Sequence, residues 1–167
     1  MVDQILTIGR RRSIAAWLGL ALLRSANVGA AVPPGVESLP VHMQLDGGAL
    51  QQIPGDERAD VSVTQDSSPE AEALIQATPP GRAIPVIFVV VGILSIPVIW
   101  DTIREMLRRD HYGGVLIDAR QTPVLITHDT ALPADFVMFI DRDGHGQRYE
   151  ARDIPADLLL QIAKKAP

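Results

Sequence analysis

The sequence predicts an α+β protein attached to a membrane. Its parts are a signal-like N-terminal segment, one transmembrane helix and a small C-terminal antiparallel β-meander closed by a C-terminal helix. Three observations carry that prediction. The N-terminus is basic and then apolar, an uncharged run extends from Ala83 to Trp100, and four short β-type runs follow Gly113.

The N-terminal segment, residues 1–31, has the layout of a signal peptide or N-terminal anchor. Arg10, Arg11 and Arg12 form a basic region, and the apolar run Ile14–Leu23 follows it. Small residues then offer cleavage positions around Val28 to Ala31. The apolar run is too short to span a bilayer, and Arg24 ends it.

Residues 32–82 differ in composition. The whole chain carries a net charge of −5, and this segment alone carries −6. It is interrupted by Pro33-Pro34-Gly35, Gly47-Gly48, Pro54-Gly55 and Pro79-Pro80-Gly81. Two alternating stretches, "VHMQL" and "DVSVT", have the period of strands that could pair with each other as a hairpin. "SPEAEALIQA" has Ser68 in place as an N-cap and Pro69 at the first helical position. Composition as a whole predicts a mostly flexible, acidic, external segment.

Ala83–Trp100, "AIPVIFVVVGILSIPVIW", is bounded by Arg82 and Asp101 and contains no charged residue. As a helix it would be about 27 Å long, close to the roughly 30 Å hydrocarbon core of a bilayer, with Trp100 at the interface. The competing reading is two buried strands, "IPVIFVVV" and "IPVIW". It is favoured by the Val and Ile content and by Pro97. On the membrane reading, Arg104, Arg108 and Arg109 after the span place the C-terminal side in the cytoplasm of a bacterial inner-membrane protein. Residues 32–82 then lie outside.

From Asp101 to His111 the pattern continues as a charged juxtamembrane helix, with Ile103, Met106 and Leu107 at helical spacing. Residues 112–167 form the predicted small cytoplasmic domain. "GVLIDA", "PVLIT", "DFVMFID" and "GQRYEA" read as strands, and "PADLLLQIAKK" as a helix with Lys164 and Lys165 at its C-terminal end. Leu158, Leu159 and Ile162 would cover one side of the sheet.

Chemistry is sparsely signalled. The chain has no cysteine, which excludes a disulfide framework and thiolate chemistry. No region is basic enough to follow a phosphate backbone, so a nucleic-acid partner is not expected. "DRDGHG", residues 141–146, begins like a calcium loop with Asp141, Asp143 and Gly146 in register. His145 and Arg152 then stand where oxygen ligands belong, and Asp143-Gly144 reads instead as a hairpin tip. His128, in Thr127-His128-Asp129, sits where a carboxylate could orient an imidazole, yet strand alternation points the neighbours apart. No catalytic, cofactor-binding or metal-ligating residue is assigned, and no cofactor is expected. The expected function is a membrane-anchored, non-enzymatic interaction module for a protein partner. The alternative is a membrane-tethered enzyme or metal-dependent sensor using Asp141, Asp143, His145 and His128.

Overall fold

The computed structural model describes residues 37–109 and 112–164. The signal-like segment, Asp110 and His111 of the juxtamembrane stretch, and Lys165 lie outside the described residues. The architecture is α+β, with seven strands in one mixed sheet and four α-helices among the described residues. In chain order these are β1 (Ser38–Asp46), α1 (Gly47–Leu50), β2 (Val61–Gln65), α2 (Pro69–Gln76), β3 (Ile87–Ser95), α3 (Ile96–Leu107), β4 (Gly114–Asp118), β5 (Val124–Asp129), β6 (Phe136–Ile140), β7 (Gly146–Glu150) and α4 (Leu158–Lys164). The strand order across the sheet is β2-β3-β1-β5-β4-β6-β7.

The apolar run Ala83–Trp100 is therefore not a transmembrane helix. Ile87–Ser95 is an internal strand, antiparallel to β1 on one side and to β2 on the other. The helix that follows starts only at Ile96. No described helix is long and apolar enough to cross a membrane. The physical reason lies in the side chains and the breakers. A Val- and Ile-rich run suits the pleat, where β-branched side chains keep their preferred rotamers. Gly92 would obstruct its partner if it carried a side chain: a Cβ there would lie 2.6 Å from the Asp60 carbonyl oxygen and 2.7 Å from the Val61 Cα. Glycine permits that close backbone approach. Pro97 stands in the first turn of α3, where its missing N–H costs no helical hydrogen bond.

The start of α3 is satisfied from elsewhere in the chain. The backbone N–H and the hydroxyl of Ser95 donate to the Glu57 carboxylate at 2.9 and 2.6 Å. The Ile96 N–H donates to the carbonyl of Glu37 at 3.0 Å. Both acceptors belong to the region that composition predicted to be flexible. That region supplies β1 and β2, and Asp46 caps α1 by accepting from Gly48 and Ala49. "VHMQL" and "DVSVT" do form strands, but each pairs with β3, which separates them. The Ser68 cap with Pro69 behind it is present as expected.

The four C-terminal strands are present, but not as a meander. β4 and β5 form a hairpin, β6 returns parallel to β4, and β6 and β7 form a second hairpin. The sheet is closed across the two halves of the chain by the parallel pairing of β1 with β5, Val41 opposite Val124 and Met43 opposite Ile126. Residues 112–164 are thus part of a larger sheet and no separate small domain.

Strand alternation assigns the two faces. Leu39, Val41, Met43, Val90, Leu94, Val115, Ile117, Ile126 and Val137 point to one side, where they share a core with Ile99, Ile103 and Met106 of α3 and with Leu158, Leu159 and Ile162 of α4. Ala49 of α1 joins the same core. On the opposite face, α2 packs Ala71 and Leu74 against Ile87 and Tyr112 at one end of the sheet. Beyond α2 no described helix covers that face. Val91 and Ile93 stand on it 37% and 51% exposed, and Val89, Leu116, Leu125 and Met138 are half-buried there.

Candidate functional site

On the face bearing α2, alternation brings polar side chains of two distant strands together. Met43 pairs with Ile126, so the residues after them, Gln44 and Thr127, stand side by side facing α2. The Thr127 hydroxyl donates to Gln44 Oε1 at 2.7 Å, and Gln44 Nε2 donates to Asp66 Oδ2 at 2.7 Å. The Ser68 N–H donates to Asp66 Oδ1 at 2.9 Å, which ties the chain to the cap of α2. Gln44 is 8% exposed, and both ends of its amide are satisfied, as burial of an amide requires. Burial pushes the Asp66 carboxyl upward, but donation from Gln44 and from the backbone and hydroxyl of Ser68 outweighs it. Asp66 is held below the usual carboxylate range.

Above this network lies a cleft of about 580 Å³ between α2 and the sheet. Val89, Leu125 and Leu74 contribute apolar wall, and His42 stands beside Gln44 on β1. Asp66, Glu70 and Asp129 contribute carboxylates, and among the described residues no Lys or Arg lines the cleft. Asp129 accepts from the Ala131 N–H at 2.8 Å. Glu70 is exposed, and its carboxylate makes no hydrogen bond or ion pair among the described residues. The cleft has an acidic mouth and an apolar wall above the Gln44–Thr127 network. The hydroxyl of Thr127 is committed to Gln44.

The residues singled out in the sequence fall into two places. Asp141, Asp143 and His145 come together in the β6–β7 loop, with one ligand-type atom from each within 4.8 Å of the others. The loop is the expected hairpin. The Gly144 N–H donates to the Asp141 carbonyl at 3.1 Å, the Asp141 N–H donates to the His145 carbonyl at 3.1 Å, and Gly144 has φ +86°. Asp141 Oδ1 accepts from the N–H groups of Asp143 and His145, both at 2.9 Å. Donation from the His145 N–H is the main reason that the Asp141 carboxyl lies below its ordinary range; the nearby His145 imidazole adds to it. The Asp141 carboxylate thus already serves the turn, while Asp143 and His145 are exposed.

His128 is not part of that group. It pairs with Val115 at one end of β4, whereas the hairpin follows Ile140, which pairs with Asp118 at the other end. Its ring packs on Tyr112 with centroids 5.1 Å apart. Strand alternation directs the side chains of His128 and Asp129 to opposite sides of β5, although both residues line the cleft.

Sequence reading missed Gln44, Asp66 and Glu70. The alternation in "VHMQL" marks His42 and Gln44 as sharing a face, and "VLITHD" marks Leu125, Thr127 and Asp129 likewise. Nothing local joins the two strands in parallel register. No family model matches the chain, and neither a curated protein nor a solved structure matches it.

Proposed function

We propose that this protein is a non-enzymatic interaction module that engages a protein partner through the sheet face left open beyond α2. The observation that carries the reading is the pair Val91 and Ile93, 37% and 51% exposed at alternate positions of an internal strand. Isolated exposed apolar residues are ordinary. Here they share one side of β3 with half-buried Val89, and half-buried Pro40 of β1 stands opposite Ile93. Leu125, Leu116 and Met138 continue the same face beyond His42 and Gln44, and an apolar strip of this kind marks a site of association. The edge strands are less inviting. β2 is short and exposes Ser62, Thr64 and Gln65, and β7 exposes Gln147 and Arg148.

The location in this reading differs from the sequence expectation. The cytoplasmic placement rested on a span at Ala83–Trp100, and that segment is β3 and the start of α3. The remaining membrane-directed signal is Arg10–Arg12 followed by Ile14–Leu23. Basic residues stay on the cytoplasmic side, so the chain after them is delivered to the outer side. A C-terminal reporter enzyme active only outside the cytoplasm should therefore be active; an inactive, stably expressed fusion would overturn the placement.

The interaction reading is tested by purifying the full-length protein with its companions, as wild type, Ile93→Asp and Gln51→Asp. Gln51 is an exposed residue next to α1, on the helix-bearing face. A stoichiometric companion lost with Ile93→Asp and kept with Gln51→Asp supports the reading. Equal retention by both variants, or no companion at all, defeats it. The enzymatic or metal-sensing alternative draws on Asp141, Asp143 and His145 without His128. A saturable rise in melting temperature with calcium or zinc would favour it over the interaction reading.

A further inference from the structure

We infer that the cleft beside α2 receives a basic side chain of the partner, a Lys ammonium or Arg guanidinium on its aliphatic stem. This inference rests on the interaction reading above and specifies the partner's chemistry at one end of the face. Val89 belongs both to the cleft wall and, with Val91 and Ile93, to the same side of β3. Alternate strand residues stand roughly 7 Å apart, so a segment lying over Ile93 and Val91 reaches the cleft mouth within a few residues.

The cleft selects by sign and by shape. Asp66, Glu70 and Asp129 line it, and among the described residues no Lys or Arg does, the basic side chains there being His42 and His128, so an anionic group entering there meets three carboxylates. A bare metal ion is poorly served. Among the described residues, the group of three His, Asp or Glu close enough to share one ion is Asp141, Asp143 and His145, not these carboxylates. An organic cation satisfies both parts of the lining. Its methylene stem covers Val89, Leu125 and Leu74 while its head meets the carboxylates, as long basic side chains do on apolar surfaces. Asp66 is held by Gln44 and Ser68, so its charge is positioned before the partner arrives. Glu70 and Asp129 sit nearer the rim, where charge pairs govern partner choice and salt dependence more than affinity.

The test uses the full-length ¹⁵N-labelled protein and two pentapeptides, acetyl-Val-Lys-Val-Lys-Val-amide and its Gln counterpart. The Lys peptide should produce saturable shifts in amides of residues 66–74 and 125–130, weakened by added salt. The Gln peptide should bind about tenfold less tightly, and the combined Glu70→Gln and Asp129→Asn variant should lose a similar factor for the Lys peptide. Equal binding of both peptides, shifts confined to residues 141–145, or no saturable shift would overturn the inference. If the cleft test fails while Ile93→Asp still releases the companion, the cleft assignment falls and the interaction reading stands. If Lys-peptide binding persists in a protein with no companion sensitive to Ile93→Asp, the interaction reading falls, and the cleft remains a cation site.

Discussion

Val90 and Val91 are neighbours with opposite fates in the strand and near-equivalent ones in a membrane helix, which makes Val→Ala at each a direct test of β3. Val90 is fully buried between β1 and β2 and faces the shared core, while Val91 is 37% exposed on the open face. Val90→Ala removes two methyl groups from the core, about 1.6 kcal/mol of transfer free energy, and the unfilled space raises the cost to about 2–3 kcal/mol. Val91→Ala loses strand preference and a little contact, within about 1 kcal/mol. At roughly 3–5 °C per kcal/mol for a chain of this size, Val90→Ala should melt about 6–15 °C below wild type. Val91→Ala should fall within about 5 °C of it. Circular dichroism melts, with urea titrations to check that the slope is unchanged, measure both. Equal losses, or a larger loss at Val91, would refute the strand assignment and its facing.

Three further outcomes follow from local geometry. Glu57→Ala leaves the N–H and hydroxyl of nearly buried Ser95 without their acceptor and should cost about 1–3 kcal/mol, read as a lower urea midpoint. Asp118 is almost fully buried and its carboxyl is depressed, chiefly by the Arg120 guanidinium and also by the Arg120 backbone N–H, so its contribution to stability is present above the unfolded carboxylate pKa and lost as pH falls through the folded one. Asp118→Asn should therefore be destabilised by about 1–2 kcal/mol at neutral pH, and urea titrations below pH 4 should show that gap closing. Gly144→Val meets nothing within 4 Å but forces a β-branched residue to φ +86°; about 1–2 kcal/mol should be lost while the fold survives.

What was legible in the sequence is what local chemistry controls. Ser68 and Pro69 mark the start of α2, Asp143-Gly144 marks the β6–β7 turn, and Ile103 and Met106 mark the buried stripe of α3. The four C-terminal strands announce themselves through short β-branched runs between turn-formers. β3 was misread because its two faces are both apolar, one in the core and one on the open surface, so alternation vanishes and hydropathy alone remains. β1 and β2 showed their alternation, but composition averaged over an acidic stretch predicted a flexible segment, and their shared partner β3 was not legible. Several acids of that stretch hold structure: Asp46 caps α1 and pairs with Arg109 at 3.3 Å, Glu57 holds Ser95, and Asp66 holds the α2 cap. The cleft was invisible because its residues meet only through the parallel β1–β5 register, a contact 83 positions apart in the Gln44–Thr127 bond.

The same β1–β5 seam sets a timetable for the newborn chain. β1 is made early, but its second edge stays unpaired until Val124–Asp129 emerges. In vectorial synthesis the front half is a sheet with one open edge at Val41–Met43 until β5 is made. Closing such a long loop is slow compared with hairpin formation. A chain that delays its own closure keeps that edge open until the fifth of its seven strands. Truncation before residue 124 should leave that edge permanently open.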